Sequence, residues 1–215
     1  MEGAIDLPAG FIPSSLSQST ILGIYGLSSL VIVSLLWLLS LRLPKLSTTD
    51  RLLMCWFIFT GLTHIIFEGY FVFSPQFYKD KTGFFIAEVW KEYSKGDSRY
   101  ALRESNVVSI EIITVSLVGP ACLLALYAIA TRKSYSYILQ LVISMAHLYG
   151  LVVYYLTSYL DGDKFAESLY YYYAYFVIAN AAWFVIPCLI VVRCWNKICG
   201  ACKAQQQGQS KSKVY

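Results

Sequence analysis

Five stretches of this 215-residue chain, 21–41, 52–73, 106–131, 137–160 and 169–192, hold only two Asp, Glu, Lys or Arg residues between them. About 20 consecutive apolar residues cross a hydrocarbon core of roughly 30 Å as a helix. In that core a helix satisfies its own backbone donors and acceptors, which no water is there to do. The pattern predicts an all-α membrane protein, a single bundle of five transmembrane helices with an intramembrane pocket. Composition agrees: 57% of residues are hydrophobic and 14% charged, against about 25% charged in an average soluble domain. Too little chain remains for a second domain.

Residues 1–20 read as a short N-terminal segment, 21–192 as the bundle with one long loop at 74–105, and 193–215 as a basic tail, disordered from Ala204 onward. The first 18 residues lack the basic start and short apolar core of a cleavable signal, so the first span is expected to stay as a helix. Lys and Arg placement sets the orientation. Arg42, Lys45, Arg51, Arg132, Lys133 and the five basic residues of the tail fall on one side, expected to be cytosolic. The N-terminus and the 74–105 loop are then lumenal. Within that loop, 87–93 reads as a helix on the membrane surface, with Val89 and Trp90 inward and Lys91 and Glu92 outward. Pro120 and Pro187 each remove a backbone donor inside a span and predict kinks. Cys55, Cys122 and Cys188 read as packing residues. Cys194, Cys199 and Cys202 follow the last span and are candidates for palmitoylation. The lone C-x-x-C among them, with no His nearby, does not make a zinc site.

The two charges left in the spans are Glu68 and Glu111. An acidic side chain at a helix centre costs about 2.5–3.5 kcal/mol on insertion scales, so one that persists usually serves a site. His64 lies four residues before Glu68 and shares its helix face. A carboxylate beside an imidazole favours the protonated ring while burial opposes it, and that balance suits a proton donor. Glu111 and Thr114 share a face of the next span. If the two spans are antiparallel, Glu68 and Glu111 sit at similar depth with no Lys or Arg to neutralise them. Asn180 and Trp183 repeat the three-residue spacing on the fifth span, where Asn180 can hold a carboxylate or hydroxyl and the indole face attracts a cation. His147 lacks a carboxylate at helical spacing and reads as an interhelical polar contact. The pattern points to proton addition and removal on a lipid through a carbocation. No nucleotide loop, metal-ligand cluster or haem ligand set occurs, so no cofactor, metal or nucleic-acid partner is expected.

The run Trp90-Lys-Glu-Tyr-Ser-Lys-Gly-Asp-Ser-Arg-Tyr100 resembles the signature loop of the emopamil-binding protein family, the 3β-hydroxysteroid Δ8,Δ7-isomerases. The likeness continues through His64-Ile-Ile-Phe-Glu68-Gly, Glu111-Ile-Ile-Thr114, Gly119-Pro120, Ile138-Leu-Gln-Leu-Val and Asn180-Ala-Ala-Trp183, in order from about Leu53 to Pro187. The resemblance implies a sterol isomerase of the endoplasmic reticulum that moves a C8=C9 double bond to C7=C8. It also implies that His64, Glu68, Glu111, Thr114, Asn180 and Trp183 line the sterol pocket, with Trp90 and Tyr100 near its mouth. The implied partners are a Δ8-sterol, hydrophobic cationic amines as inhibitors, the bilayer, and a second copy in a homodimer. Animal members carry Gln where this chain has His147 and Asp where it has Leu151, departures expected to bear on substrate shape more than on chemistry. The ending Lys211-x-Lys213 resembles a cytosolic di-lysine retrieval signal. The main alternative is a non-catalytic sterol or amine receptor like the sigma-2 receptor. Those relatives resemble four-span proteins, and the extra first span and complete loop favour the isomerase.

Overall fold

The computed structural model describes residues 5–212, with side chains through residue 207. Among these residues every regular element is helical. Five helices are long and apolar enough to cross a membrane, with shorter helical elements between them, the longest of which, Phe85–Tyr93, is numbered with them. In chain order they are α1 (Gln18–Ser40), α2 (Thr48–Phe73), α3 (Phe85–Tyr93), α4 (Ser105–Ala130), α5 (Ser136–Leu160) and α6 (Leu169–Gln207), with α3 the short one. The expected five-helix membrane bundle is therefore observed. Its helix ends are set by local chemistry. Ser17 caps α1 by accepting from the Thr20 amide, and Ser47 and Asp50 form a reciprocal capping box at the start of α2.

The packing is graded. Among the described side chains of α1 only Ile21 and Ser40 are buried, and Leu27, Leu30, Leu35 and Leu38 face outward as a lipid-facing surface would. The interior divides into two clusters. One joins α2, α4, α5 and α6 through Met54, Phe57, Cys122, Ile143 and Ile190. The other is aromatic and gathers Phe71, Trp90, Tyr100, Tyr154 and Phe176. Residues 60–68 of α2 run between them.

Three of the long helices are irregular there. α2 is π-helical over Thr63–Glu68, α4 over Thr114–Val118 and α6 over Tyr172–Ile178. The expected kink at Pro120 takes this form: the Gly119 amide reaches back five residues to the Thr114 carbonyl. No matching break occurs at Pro187, which lies inside a continuous helical run; the irregularity of α6 comes one to two turns after its start. The helical backbone of α6 continues to Ser212, so the tail expected to be disordered is helical as far as it is described. Lys213 and the end of the di-lysine motif lie outside the described residues. Cys194 is fully buried, which leaves Cys199 and Cys202 as the reachable thiols.

The 74–105 loop corrects another expectation. Lys91 and Glu92 do not point outward from α3; both are buried, as is Glu88. Lys91 pairs with Glu88 at 2.8 Å and donates to the Asp80 carbonyl, while Glu92 pairs with Lys95 at 2.7 Å. Glu88 also accepts from the hydroxyls of Ser14 and Ser15 and from the amides of Ser15 and Leu16, tying the N-terminal segment across α3. Burial alone would raise the Glu88 carboxyl, but the bonds from Lys91, Ser15 and Ser14 outweigh it and lower its pKa from 4.5 to about 2. Its stabilising effect is therefore present above the unfolded carboxylate range and lost as pH falls towards 2. Beyond α3 the loop turns around a buried Asp97–Arg99 pair at 2.8 Å, the guanidinium stacking 4.6 Å from the Phe165 ring centroid. Tyr154 of α5 donates to the same Asp97. The loop is thus a packed layer against the bundle, because its charges find partners inside it.

Gly96 fixes how closely this layer approaches α6. A Cβ there would lie 2.5 Å from the Tyr175 Cβ and 2.9 Å from the Tyr171 carbonyl oxygen. Gly96→Ala is expected to lift the loop and cost about 1–3 kcal/mol, read as a lower unfolding temperature in detergent and faster proteolysis within 74–105. An unchanged melting temperature would mean that the loop is not held by this contact.

Candidate active site

His64, Glu68, Glu111, Thr114, Trp183, Asn180, Trp90 and Tyr100 all line one cavity of about 460 Å³ between the two clusters. That volume falls in the usual range for small-molecule sites, about 300–1,000 Å³. The wall is chiefly apolar and aromatic, with Leu22 and Tyr25 from α1, Phe59 from α2, Val89 and Tyr93 from α3, and Leu151 from α5. Among the described residues no Lys or Arg contributes to it.

Six of the predicted side chains form one continuous path with a seventh that sequence reasoning missed. Trp183 Nε1 donates to Thr60 Oγ1 at 2.8 Å, and Thr60 Oγ1 lies 3.1 Å from His64 Nε2. His64 Nδ1 is 2.7 Å from Glu68 Oε2, the contact expected from their spacing. Thr114 Oγ1 lies 2.7 Å from the same Glu68 oxygen and 3.2 Å from Glu111 Oε2, so one hydroxyl joins the two carboxyls across α2 and α4. Tyr100 OH donates to Glu111 Oε1 at 2.7 Å. Tyr100 is therefore a member of the polar path. Burial, then the charge of Glu111, pushes its phenol well above 10, so it stays a proton-bearing donor.

Local structure explains the reach. Both π-helical turns of α2 and α4 carry members of the path, and π-turns recur at functional sites because the extra residue redirects the side chains after it. Gly119 lets these turns meet: a Cβ there would come within 2.9 Å of Ile65 Cγ1 and 3.1 Å of His64 Cβ.

One expectation changes. Asn180 holds no carboxylate; its Nδ2 donates to Tyr93 OH at 3.1 Å and to the Phe176 carbonyl at 2.9 Å. It positions the aromatic wall, with the Tyr93 phenol itself raised by burial and then by Asp97. His147 makes the interhelical polar contact expected of it, from α5 to α2. Its Nε2 lies 2.9 Å from His64 Nε2, and its ring lines the cavity. Trp90 supports the site from behind: its indole donates to the Phe67 carbonyl at 2.8 Å and stacks on Tyr100 with centroids 4.9 Å apart. Thr60 carried no sequence signal beyond its place one turn before His64. His147 did, as a second histidine in an apolar span.

The arrangement can hold, donate and accept protons in an apolar enclosure. Among the described residues no group of His, Cys, Asp and Glu is arranged to hold a metal. The model of the family described as EXPERA (EXPanded EBP superfamily) matches residues 85–194. An Arabidopsis thaliana protein named "Probable 3-beta-hydroxysteroid-Delta(8),Delta(7)-isomerase" is 60% identical over 92% of this chain and 87% of its own length. A rat protein, "3-beta-hydroxysteroid-Delta(8),Delta(7)-isomerase", is 39% identical over 84% of this chain and 80% of its own. An Ailanthus altissima "Protoglabretal synthase" is 50% identical over 94% and 92%.

Thr60→Val keeps the volume of the side chain and removes the hydroxyl between Trp183 and His64. It is expected to cost about 1–3 kcal/mol in thermal unfolding, while Thr60→Ser stays near the wild type. Equal stability of all three would mean that the path does not pass through Thr60.

Proposed function

This chain belongs to the EXPERA family, the expanded EBP superfamily, and from that premise we propose that it is a sterol Δ8,Δ7-isomerase working through a carbocation. Relatives that bear the isomerase name over most of this chain support the activity. One observation carries the chemistry: two carboxyls joined through one hydroxyl, with an imidazole on one of them and no cation in the cavity wall.

Like charges this close in an apolar setting cannot both stay ionised without cost, so the pair is best served by holding one proton. The reaction needs one proton in and one out. His64, backed by Glu68, donates to C9 of the Δ8-sterol and leaves positive charge at C8. Glu111, oriented by Thr114 and Tyr100, faces that cation and takes the C7 proton, which closes the C7=C8 bond. As product leaves, Glu111 gives its proton up to solvent and His64 takes one from solvent, and the site is reset without a cofactor. The Trp183 ring stabilises the cation through its π face, while Tyr93, held by Asn180, and Trp90 shape the aromatic wall. The apolar enclosure keeps water from capturing the cation. The reading sets the enzyme in the endoplasmic-reticulum membrane with its N-terminus and 74–105 loop lumenal and its tail cytosolic.

A second reading has its own observation. The relative named protoglabretal synthase is 50% identical, close to the 52% of a rice relative with the isomerase name. The same proton chemistry could then serve a substrate other than a simple sterol.

The test is conversion of a Δ8-sterol by purified protein in lipid nanodiscs made up in D2O. The expected product is the Δ7-sterol with one deuterium at C9. Glu68→Gln and Glu111→Gln are each expected to lower kcat by about a hundredfold or more in protein that still folds and inserts. A wild type that binds the sterol without converting it would sink the reading.

Hydrophobic amines give a separate prediction. A protonated amine on a sterol-shaped body places fixed charge where the C8 cation forms. It should bind far more tightly than its neutral carbon isostere, and lose about 2–5 kcal/mol in either Gln variant. Equal affinity of amine and isostere for the wild type would remove charge mimicry.

A further inference from the structure

A glycine inside a helix costs stability relative to alanine, because it gives up more backbone freedom on folding and brings no side chain to pack. In α2 and α4 the reason for such residues is visible as close contact. A Cβ at Gly61 would lie 3.0 Å from Cys122 Cβ, and one at Gly119 would lie 2.9 Å from Ile65 Cγ1. Four other glycines within the long helices, Gly23, Gly26, Gly150 and Gly200, have no heavy atom within 4 Å of the place a Cβ would take. Gly23, Gly26 and Gly200 are exposed on α1 and on the tail end of α6, away from the cavity. Gly150 is the one of the four that lines it. No contact and no positive φ calls for glycine there. What the missing side chain leaves is space in the cavity wall.

That space is extended by a neighbour. Ala146 stands one turn earlier on the same face of α5, lines the cavity as well, and is exposed within the structure. The other residues that α5 gives to the wall, His147, Leu151 and Tyr154, are all large. Ala146 and Gly150 therefore make a recess in that wall. The recess is close to the chemistry. His147, between the two in sequence, lies 2.9 Å from His64, which lies 2.7 Å from Glu68. A part of the substrate that fills the recess is thus near the reacting bond and not at the far end of the molecule.

We propose that Gly150, with Ala146 beside it, is a specificity-determining residue: it leaves room for a methyl group on the ring system of the substrate, close to the double bond that moves. The recess touches none of the proton-transfer groups directly, so it selects among polycyclic substrates without altering the reaction. A Leu side chain at position 150 would occupy the same space from the wall side. It would leave a slender steroid body its place and exclude one that carries the extra methyl group.

The inference rests on the sterol reading above, and binding separates the two because it needs no turnover. The measurement is displacement of a hydrophobic amine from protein in nanodiscs by Δ8-sterols without added methyl groups, with methyl groups at C4, and with a methyl group at C14. It is made on wild type, Gly150→Ala and Gly150→Leu, with conversion followed in parallel. Both variants are expected to melt at or above the wild-type temperature, since the new atoms enter open space and a helix favours either residue over glycine. Gly150→Leu should hold the unmethylated sterol within about threefold of wild type and lose about ten- to a hundredfold in affinity for at least one methylated sterol, with Gly150→Ala between. The methylated sterol that loses affinity shows which edge of the ring system faces α5. Parallel losses for all the sterols, or a loss for none, would overturn the proposal. A lower melting temperature for Gly150→Ala would overturn it too, since the space would then not be open. Discrimination without conversion in the wild type would remove the isomerase reading and leave the recess standing.

Discussion

Two acidic side chains buried among apolar helices, with no Lys or Arg among the described residues of the surrounding wall, are the constraint around which this bundle is arranged. An unpaired charge in such surroundings is far costlier than any packing contact can offset. The structure meets the cost by distributing it. Glu68 takes an imidazole and a hydroxyl, Glu111 takes the same hydroxyl and a phenol, and the imidazole takes a second imidazole and a second hydroxyl. Four of the five spans and the 74–105 loop each supply at least one member. Polar satisfaction, and not apolar packing alone, thus fixes how α2, α4, α5 and α6 are registered against one another.

The helices pay for this in regularity. Each long helix with a π-helical stretch carries it beside the cavity: the turn of α2 holds His64 and Glu68, that of α4 begins at Thr114, and that of α6 ends just before Asn180. A strained turn survives in a membrane only where neighbouring groups recover its backbone bonds, and the close approach of Gly119 to His64 shows how tightly the first two turns support each other. The loop over the cavity follows a different rule. It lies outside the spans, and it stays folded because its charges pair within it: Lys91 with Glu88, Lys95 with Glu92 and Arg99 with Asp97. A loop built this way can present Trp90, Tyr93 and Tyr100 to the cavity as a rigid aromatic wall, which a mobile lid could not do.

The family and the substrate are legible at different depths. Membership rests on similarity along most of the chain, whereas relatives of nearly equal identity bear different activity names. His147 and Leu151 both lie on the cavity wall from α5. The first of them touches the imidazole at the centre of the polar path.

The sequence by itself determined the class of fold, since 20-residue apolar stretches have one way of satisfying their backbones in lipid. It also determined most of the site, because a carboxylate in an apolar span declares its own cost and i,i+3 or i,i+4 spacing puts its partners beside it. Contacts within one helix, such as His64 with Glu68 or Glu111 with Thr114, follow from that spacing. Contacts between helices do not. That Thr60 joins Trp183 to His64, that Thr114 bridges two carboxyls, that Asn180 holds a phenol and that His147 meets His64 all depend on rotation and depth, which π-turns shift by a residue at a time. The loop shows the same limit: an amphipathic reading turned Lys91 and Glu92 outward, because pairing with Glu88 and Lys95 in the fold is what makes their burial affordable. Only the tertiary structure decided these, for the energy of a buried polar group is settled by its partner and the partner comes from another part of the chain.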